Sequence, residues 1–181
     1  MHAEIGDFIV EILQNAVESG GRHIRLDIFQ TPDSFEFQIQ DNGKGMSQSI
    51  QDRALDPFYS DGFKHPGRRV GLGLPFLKQA LEAIGGEFTL ESTEGMGTQV
   101  RAKFPLNHVD TPPVGSLSLT LLTCIAFPGE HELIITRTCS DPAIEYRILR
   151  SEILDAAGPL EEPGTLGLIR EYVESQEDEH G

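Results

Sequence analysis

Positive charge is what this 181-residue chain has least of, and it is unevenly spread. Its 14 Lys and Arg face 29 Asp and Glu, a net charge of −15. Up to Leu106 ten basic residues stand against fifteen acids; beyond it there are four arginines, fourteen acids and no lysine. Such a chain repels a phosphate backbone, so nucleic acid is not an expected partner. Cysteine is almost missing. Cys124 and Cys139 match no metal-ligand spacing, and two free thiols in a reduced, cytoplasmic chain are expected. No apolar run approaches the roughly 20 residues of a membrane span. Met1-His2-Ala3-Glu4 has neither the basic region nor the apolar core of a signal peptide, so no membrane association is expected. No internal repeat is visible.

What is present begins with a helix over about Glu4 to Ser19. Ile5, Phe8, Ile9, Ile12, Leu13 and Ala16 make an apolar stripe, and Gly20-Gly21 closes it. On the polar side Glu11 and Asn15 sit one turn apart. A carboxylate can take a proton from water, and a carboxamide oxygen can ligand a hard cation such as Mg²⁺. A solvated helix face accounts for Glu4, Asp7 and Glu18. Alternation over His23–Phe29 and Phe35–Ile39, across Thr31-Pro32-Asp33-Ser34, predicts a hairpin with one buried face. It runs into Asp41-Asn42-Gly43-Lys44-Gly45-Met46. An Asn-Gly turn would explain Gly43 but not Gly45. A short helix is expected over Ser47–Leu55.

Next, Asp56-Pro57-Phe58-Tyr59 leads into Gly62–Arg69, which carries Lys64, His65, Arg68 and Arg69 and no acid. This reads as a basic flap over an anion, or as a solvated loop. It enters Gly71-Leu72-Gly73-Leu74, directly before the apolar run Phe76, Leu77, Ala80, Leu81, Ile84. A helix start offers unpaired N–H groups to phosphate, and Pro75 fits its first turn. A second hairpin, Glu87–Glu91 and Thr98–Phe104, is expected to end the sheet at Pro105.

Taken in order, these stretches resemble the GHKL superfamily, which includes gyrase-type topoisomerases, MutL mismatch-repair ATPases, ninety-kilodalton heat-shock chaperones, sensor histidine kinases and anti-sigma-factor serine kinases. Glu11-Ile12-Leu13-Gln14-Asn15-Ala16 looks like the N-box. Asp41 to Met46, Gly71 to Leu74 and Gly95 to Thr98 look like the three glycine boxes, and Asp56 to Tyr59 is similar to the kinase F-box. The resemblance implies an α/β (α+β) two-layer Bergerat-type sandwich of a mixed sheet and helices, binding ATP and Mg²⁺. Carried over by position, Asn15 would ligand Mg²⁺ and Glu11 would be the general base. Asp41 would accept from the adenine amino group, with Thr98 supporting that end. Gly43 and Gly45 would admit the nucleotide. The Gly71-Leu72-Gly73-Leu74 loop would turn N–H groups to the phosphates, and Phe58 would anchor the lid. The first half looks more like MutL or topoisomerases, the second more like histidine kinases. Arg69 stands where kinases usually have another glycine, so Arg68 or Arg69 would supply charge instead.

The expected organisation is an ATP-binding domain over 1–106, a linker at 107–114 around Thr111-Pro112-Pro113, and a small acidic β-β-α-α extension over 115–181. In the extension a hairpin is expected from Leu117–Phe127 and His131–Cys139. A helix should follow, capped at Asp141-Pro142 and running to Ala157, and then one over Glu162–Ser175. Without chemistry of its own, this extension reads as a protein-partner or self-association contact. His131-Glu132-Leu133 superficially matches a kinase H-box, but it falls in an expected strand and is assigned no phosphoacceptor role. Nor is the kinases' dimerising hairpin expected before Glu11. The leading function is a small Mg²⁺-dependent ATPase switch. The alternatives are an anti-sigma-type serine kinase or histidine-kinase-like catalytic domain acting on a separate partner, a nucleotide sensor without turnover, and a structural domain whose glycines are turns.

Overall fold

In the computed structural model, residues 4–58 and 72–178 are described. The elements are α1 (Ile5–Glu18), β1 (His23–Gln30), β2 (Ser34–Asp41), α2 (Gln48–Ala54), α3 (Gly73–Ile84), β3 (Glu87–Thr93), β4 (Gly97–Pro105), α4 (Leu117–Ile125), β5 (Glu132–Ser140), β6 (Ala143–Leu149), α5 (Arg150–Ala157) and α6 (Thr165–Asp178). The six strands form one mixed sheet in the order β3-β4-β2-β1-β5-β6. Every neighbouring pair is antiparallel except β1 with β5, which is parallel.

Period-two alternation sets which face of the sheet is buried. The registers align Leu90, Val100, Ile39, Leu26, Ile135 and Ile148 in a single row across all six strands. Helices cover that face. Ile5, Phe8, Ile9, Ile12, Leu13 and Ala16 of α1 and Leu74, Leu77, Leu81 and Ile84 of α3 pack into the same core as Leu117, Leu121, Cys124 and Ile125 of α4. The other face carries Arg25, Gln40, Glu36 and Arg101 and is polar, as in a two-layer α+β sandwich.

The first hairpin, the second hairpin and their helices form where the sequence predicts them. The C-terminal third differs. Leu117–Ile125 is a helix, not a strand. Leu117, Leu119 and Leu121 alternate in the sequence, yet the buried set is Leu117, Thr120, Leu121, Cys124 and Ile125, which has helical spacing. Ser116 caps it, its hydroxyl accepting from the Leu119 N–H at 3.3 Å. Asp141-Pro142 does not start a helix. It turns β5 into β6, where Ile144, Tyr146 and Ile148 alternate inward, and the helix begins only at Arg150. The extension is therefore α-β-β-α-α. Nor does the sheet end at Pro105, because β5 adds to it beside β1. Cys124 and Cys139 are both buried and free, and burial pushes the Cys124 thiol up to about 12. Among the described residues no helix is long and apolar enough to cross a membrane.

Candidate functional site

At one end of the sheet the apolar row gives way to polar side chains. Two residues along each strand, Leu90, Val100 and Ile39 are succeeded by Ser92, Thr98 and Asp41, which are also in register. Asp41 is 8% exposed, and among the described residues no Lys or Arg pairs with it. Its Oδ1 accepts from the Gly43 N–H at 2.7 Å and the Ser19 hydroxyl at 3.3 Å. Burial raises its carboxyl above the ordinary value, against the lowering effect of Gly43, Ser19 and the Thr98 backbone. A desolvated carboxylate held by neutral donors is a strong acceptor for an amino group reaching this end of the sheet.

Thr98 and Ser92 share a hydroxyl hydrogen bond of 2.8 Å, and the Ser92 Oγ accepts from the Met46 N–H at 2.8 Å. Gln51 of α2 donates to the carbonyls of Met46 and Ser92, at 3.1 and 2.9 Å. The Asp41–Met46 loop is thereby fastened to the β3–β4 turn, and the Gly95 N–H donates to the Lys44 carbonyl at 2.6 Å. At Gly97, φ is 125° and a Cβ would collide with the Asp41 carbonyl, so only glycine lets β4 run this close to the loop.

Glu11 and Asn15 lie half-buried on α1, one turn apart. Ser19, one turn further, touches Asp41. The three residues form a line about 12 Å long on one side of the helix. At its Glu11 end the line meets the start of α3. A Cβ on Gly73 would stand 2.9 Å from Glu11 Oε2 and 3.3 Å from its Cβ. At the other end, a Cβ on Gly43 would overlap the Ser19 hydroxyl. Gly43 and Gly73 therefore let their loops close on α1. Gly45, with φ of 63°, abuts the Thr93 carbonyl. Leu72 is the cap residue of α3, and Leu74 packs beneath it into the core.

The structure thus joins Asp41, Gly43 and Thr98 through direct contacts, sets Gly45 against the Thr93 and Gly97 carbonyls, and brings Glu11 to Gly73. Phe58 is 92% exposed, with its N–H bonded to Asp56 Oδ1 at 2.9 Å. Arg68, Arg69, Gly71 and the lid expected over Gly62–Val70 lie outside the described residues. Among the described residues no three His, Cys, Asp or Glu side chains could cage a metal. Mg²⁺ bound chiefly by substrate oxygens needs only one or two protein ligands. Ser19, Ser92 and Gln51 were missed in the sequence. The four-residue step from Asn15 signals Ser19, but nothing local signals the other two. A cavity of about 250 Å³ opens on the polar sheet face between His23, Arg25, Gln40, Met96 and Glu132. Asp41 and Asn42 also line it.

The family model described as histidine kinase-, DNA gyrase B-, and HSP90-like ATPase matches residues 3–108. The sensor histidine kinase SpaK of Bacillus subtilis is 34% identical over 103 residues, 55% of this chain and 22% of that kinase. The CAI-1 autoinducer sensor kinase/phosphatase CqsS of Vibrio cholerae is 26% identical over 139 residues, 76% of this chain and 20% of its own length. The chain thus spans about a fifth of these relatives. Among solved structures, the N-terminal domain of a DNA repair protein superposes with a TM-score of 0.54 at 11% identity. It covers 91% of this chain and 59% of the other, and the likeness is one of fold.

Proposed function

The chain belongs to the histidine kinase-, DNA gyrase B- and HSP90-like ATPase family, and on that premise we propose that it binds Mg·ATP along the Glu11–Asn15–Ser19 line and hydrolyses it slowly as a regulatory switch. The observation that carries this reading is that line itself. One helix joins a buried acceptor for the base, Asp41, to the start of α3, where the phosphates would meet unpaired N–H groups.

Asp41 accepts from the adenine amino group, and Thr98 backs it. Asn15 presents its carboxamide oxygen to Mg²⁺, and the Gly73 and Leu74 N–H groups meet the phosphates. Arg68, Arg69 and Gly71 belong to the same proposal as further phosphate contacts, and Phe58 as the anchor of the lid. Bound Mg²⁺ would neutralise charge on the phosphate oxygens. Glu11 takes a proton from the attacking water as its oxygen bonds to the terminal phosphorus; the bridging P–O bond breaks and ADP leaves with that bond's electron pair. We read the protein as cytoplasmic, in keeping with two unpaired thiols.

Calorimetry and phosphate release test this together. Asn15→Ala is expected to abolish Mg-dependent ATP binding, whereas Glu11→Ala retains binding and loses turnover by roughly 100-fold or more. Undiminished affinity in the first variant, or wild-type turnover in the second, refutes the assigned role. A second reading is phosphoryl transfer to a separate protein, favoured by the sensor-kinase relatives. Labelled phosphate on a partner, in place of free phosphate, would select it. ATP binding without either outcome leaves the nucleotide-sensor reading.

A further inference from the structure

The nucleotide helix α1 is held from behind by the C-terminal segment. Its first two N–H groups donate to that segment's approach, Ile5 to the Pro113 carbonyl at 2.8 Å and Gly6 to the Val114 carbonyl at 3.2 Å. Gly6 then lies directly against α4. A Cβ there would overlap the Thr120 hydroxyl, while the Thr120 Cβ and the Val114 carbonyl stand at 3.5 Å from it. Thr120 is buried, and its hydroxyl donates to the Ser116 carbonyl at 3.0 Å, which fixes it in that orientation. Ile5, Ile9, Leu117 and Leu121 fill the same core.

The position of Gly6 on α1 matters. Asn15 follows it by nine residues, or two and a half turns, so the two face opposite sides of the helix about 13 Å apart along its axis. On its other flank α1 abuts α3, through Glu11 and Gly73. The helix is thus seated between two glycine contacts, one on the site side and one on α4. Close-packed interfaces transmit such displacements and do not absorb them. We propose that Gly6 and Thr120 are positioning residues, and that through them the C-terminal segment sets the distance of Glu11 and Asn15 from the phosphates. This rests on the Mg·ATP reading above. It assigns the extension a task in the site itself, carried by residues beyond the family match at 3–108.

The test separates the two ends of the nucleotide. Asp41 and Thr98 stand on β2 and β4, and α1 reaches them only through Ser19, thirteen residues beyond Gly6, so displacement at the start of α1 should weaken Mg·ATP while changing adenosine binding little. Gly6→Ala forces α1 and α4 apart by roughly an ångström. Misplacement on that scale costs up to roughly 100-fold in rate, and we expect about a tenfold loss of Mg·ATP affinity with adenosine affinity held. Gly6→Ala/Thr120→Ala removes the overlap, leaving a 3.5 Å Cβ contact, and should restore Mg·ATP affinity to within about twofold of wild type. Should Gly6→Ala not fold, Thr120→Ala alone loosens the seat, with an expected loss of roughly threefold confined to Mg·ATP.

All measurements are made on the full chain, at temperatures where circular dichroism reports each variant folded. Unchanged Mg·ATP affinity in the folded single variants overturns the proposal. So does equal weakening of adenosine and Mg·ATP, which is what general destabilisation gives. A wild-type chain that binds neither ligand overturns the nucleotide reading itself, and the positioning role falls with it.

Discussion

The molecule buries polar groups in two regions, and they are treated in opposite ways. Beneath α6, Arg137 is 2% exposed and fully engaged. Its guanidinium donates to Glu177 Oε1 at 3.3 Å, Gln30 Oε1 at 2.7 Å and the Thr138 carbonyl at 3.3 Å, and the Tyr146 hydroxyl donates to the same Glu177 carboxylate. Arg150, with the Glu132 carboxylate as its nearby counter-charge, donates to the carbonyls of Ile125, Phe127 and His131 at 2.9 to 3.0 Å. At the other end of the sheet Asp41 is also buried, but among the described residues its side-chain donors are neutral. A buried charge with its counter-charge in place is a fastening. A buried charge without one destabilises the fold and offers a ligand an acceptor already stripped of water. This contrast supports placing the proposed site at Asp41.

The contrast can be broken at the fastening first. Glu177→Ala strands Arg137 in the core and should cost about 3–5 kcal/mol in denaturant unfolding, with nucleotide affinity unchanged while the protein stays folded. Replacing both partners, Arg137→Met with Glu177→Leu, should recover most of that loss; if it does not, the pair is more than a neutralised charge. At the other end Asp41→Asn should do the reverse. A carboxamide oxygen can still accept from Gly43 and Ser19, so stability should hold or rise slightly. Adenosine affinity should fall roughly 10- to 100-fold, the scale of one hydrogen bond to a charged group.

The pH dependence carries the same sign. A carboxyl raised by burial is stabilising below its ordinary value and costs stability as pH rises through its folded value. Wild-type stability should therefore lose a component through acidic pH that Asp41→Asn lacks, while nucleotide affinity gains as the carboxylate forms. The smallest effect is expected at His131, whose Nε2 is buried without a partner. Burial and the Arg150 charge lower its pKa below the usual 6.5, with Glu132 opposing. Its contribution to stability is complete above the ordinary value and declines as pH falls toward the folded one. His131→Gln should flatten that part of a stability-against-pH curve, and an unaltered slope would assign it to another group.

How much of this could be read from sequence depended on the range of the contacts. The α1 stripe, both hairpins and the glycine loops are written in local spacing, and the order of the boxes pointed to the family. Ser92 escaped because its role comes from pairing with Thr98 and from the Met46 N–H, 46 residues away. α4 reads as a strand in the sequence because Leu117, Leu119 and Leu121 follow a two-residue period, and the packing of Leu117, Leu121, Cys124 and Ile125 decides for the helix. β6 reads as a helix in the sequence because Asp-Pro serves a turn as readily as a cap. At Gly43 and Gly73 the motif was legible, but the atoms that require glycine there, Ser19 and Glu11, belong to a different element.

The parallel pairing of β1 with β5 has a further consequence. The family match ends at residue 108, yet the strand that completes the sheet beside β1 begins at Glu132. Cut at the end of the match, the chain would carry His23–Gln30 as a bare edge, eight residues long and apolar on one side at Ile24, Leu26 and Ile28. An unpaired edge of that length is a template for other chains, and the usual outcome is aggregation. The segment from 115 onward therefore acts as a built-in edge protector for the nucleotide half. During synthesis that half must wait for more than twenty further residues before its central strand is covered.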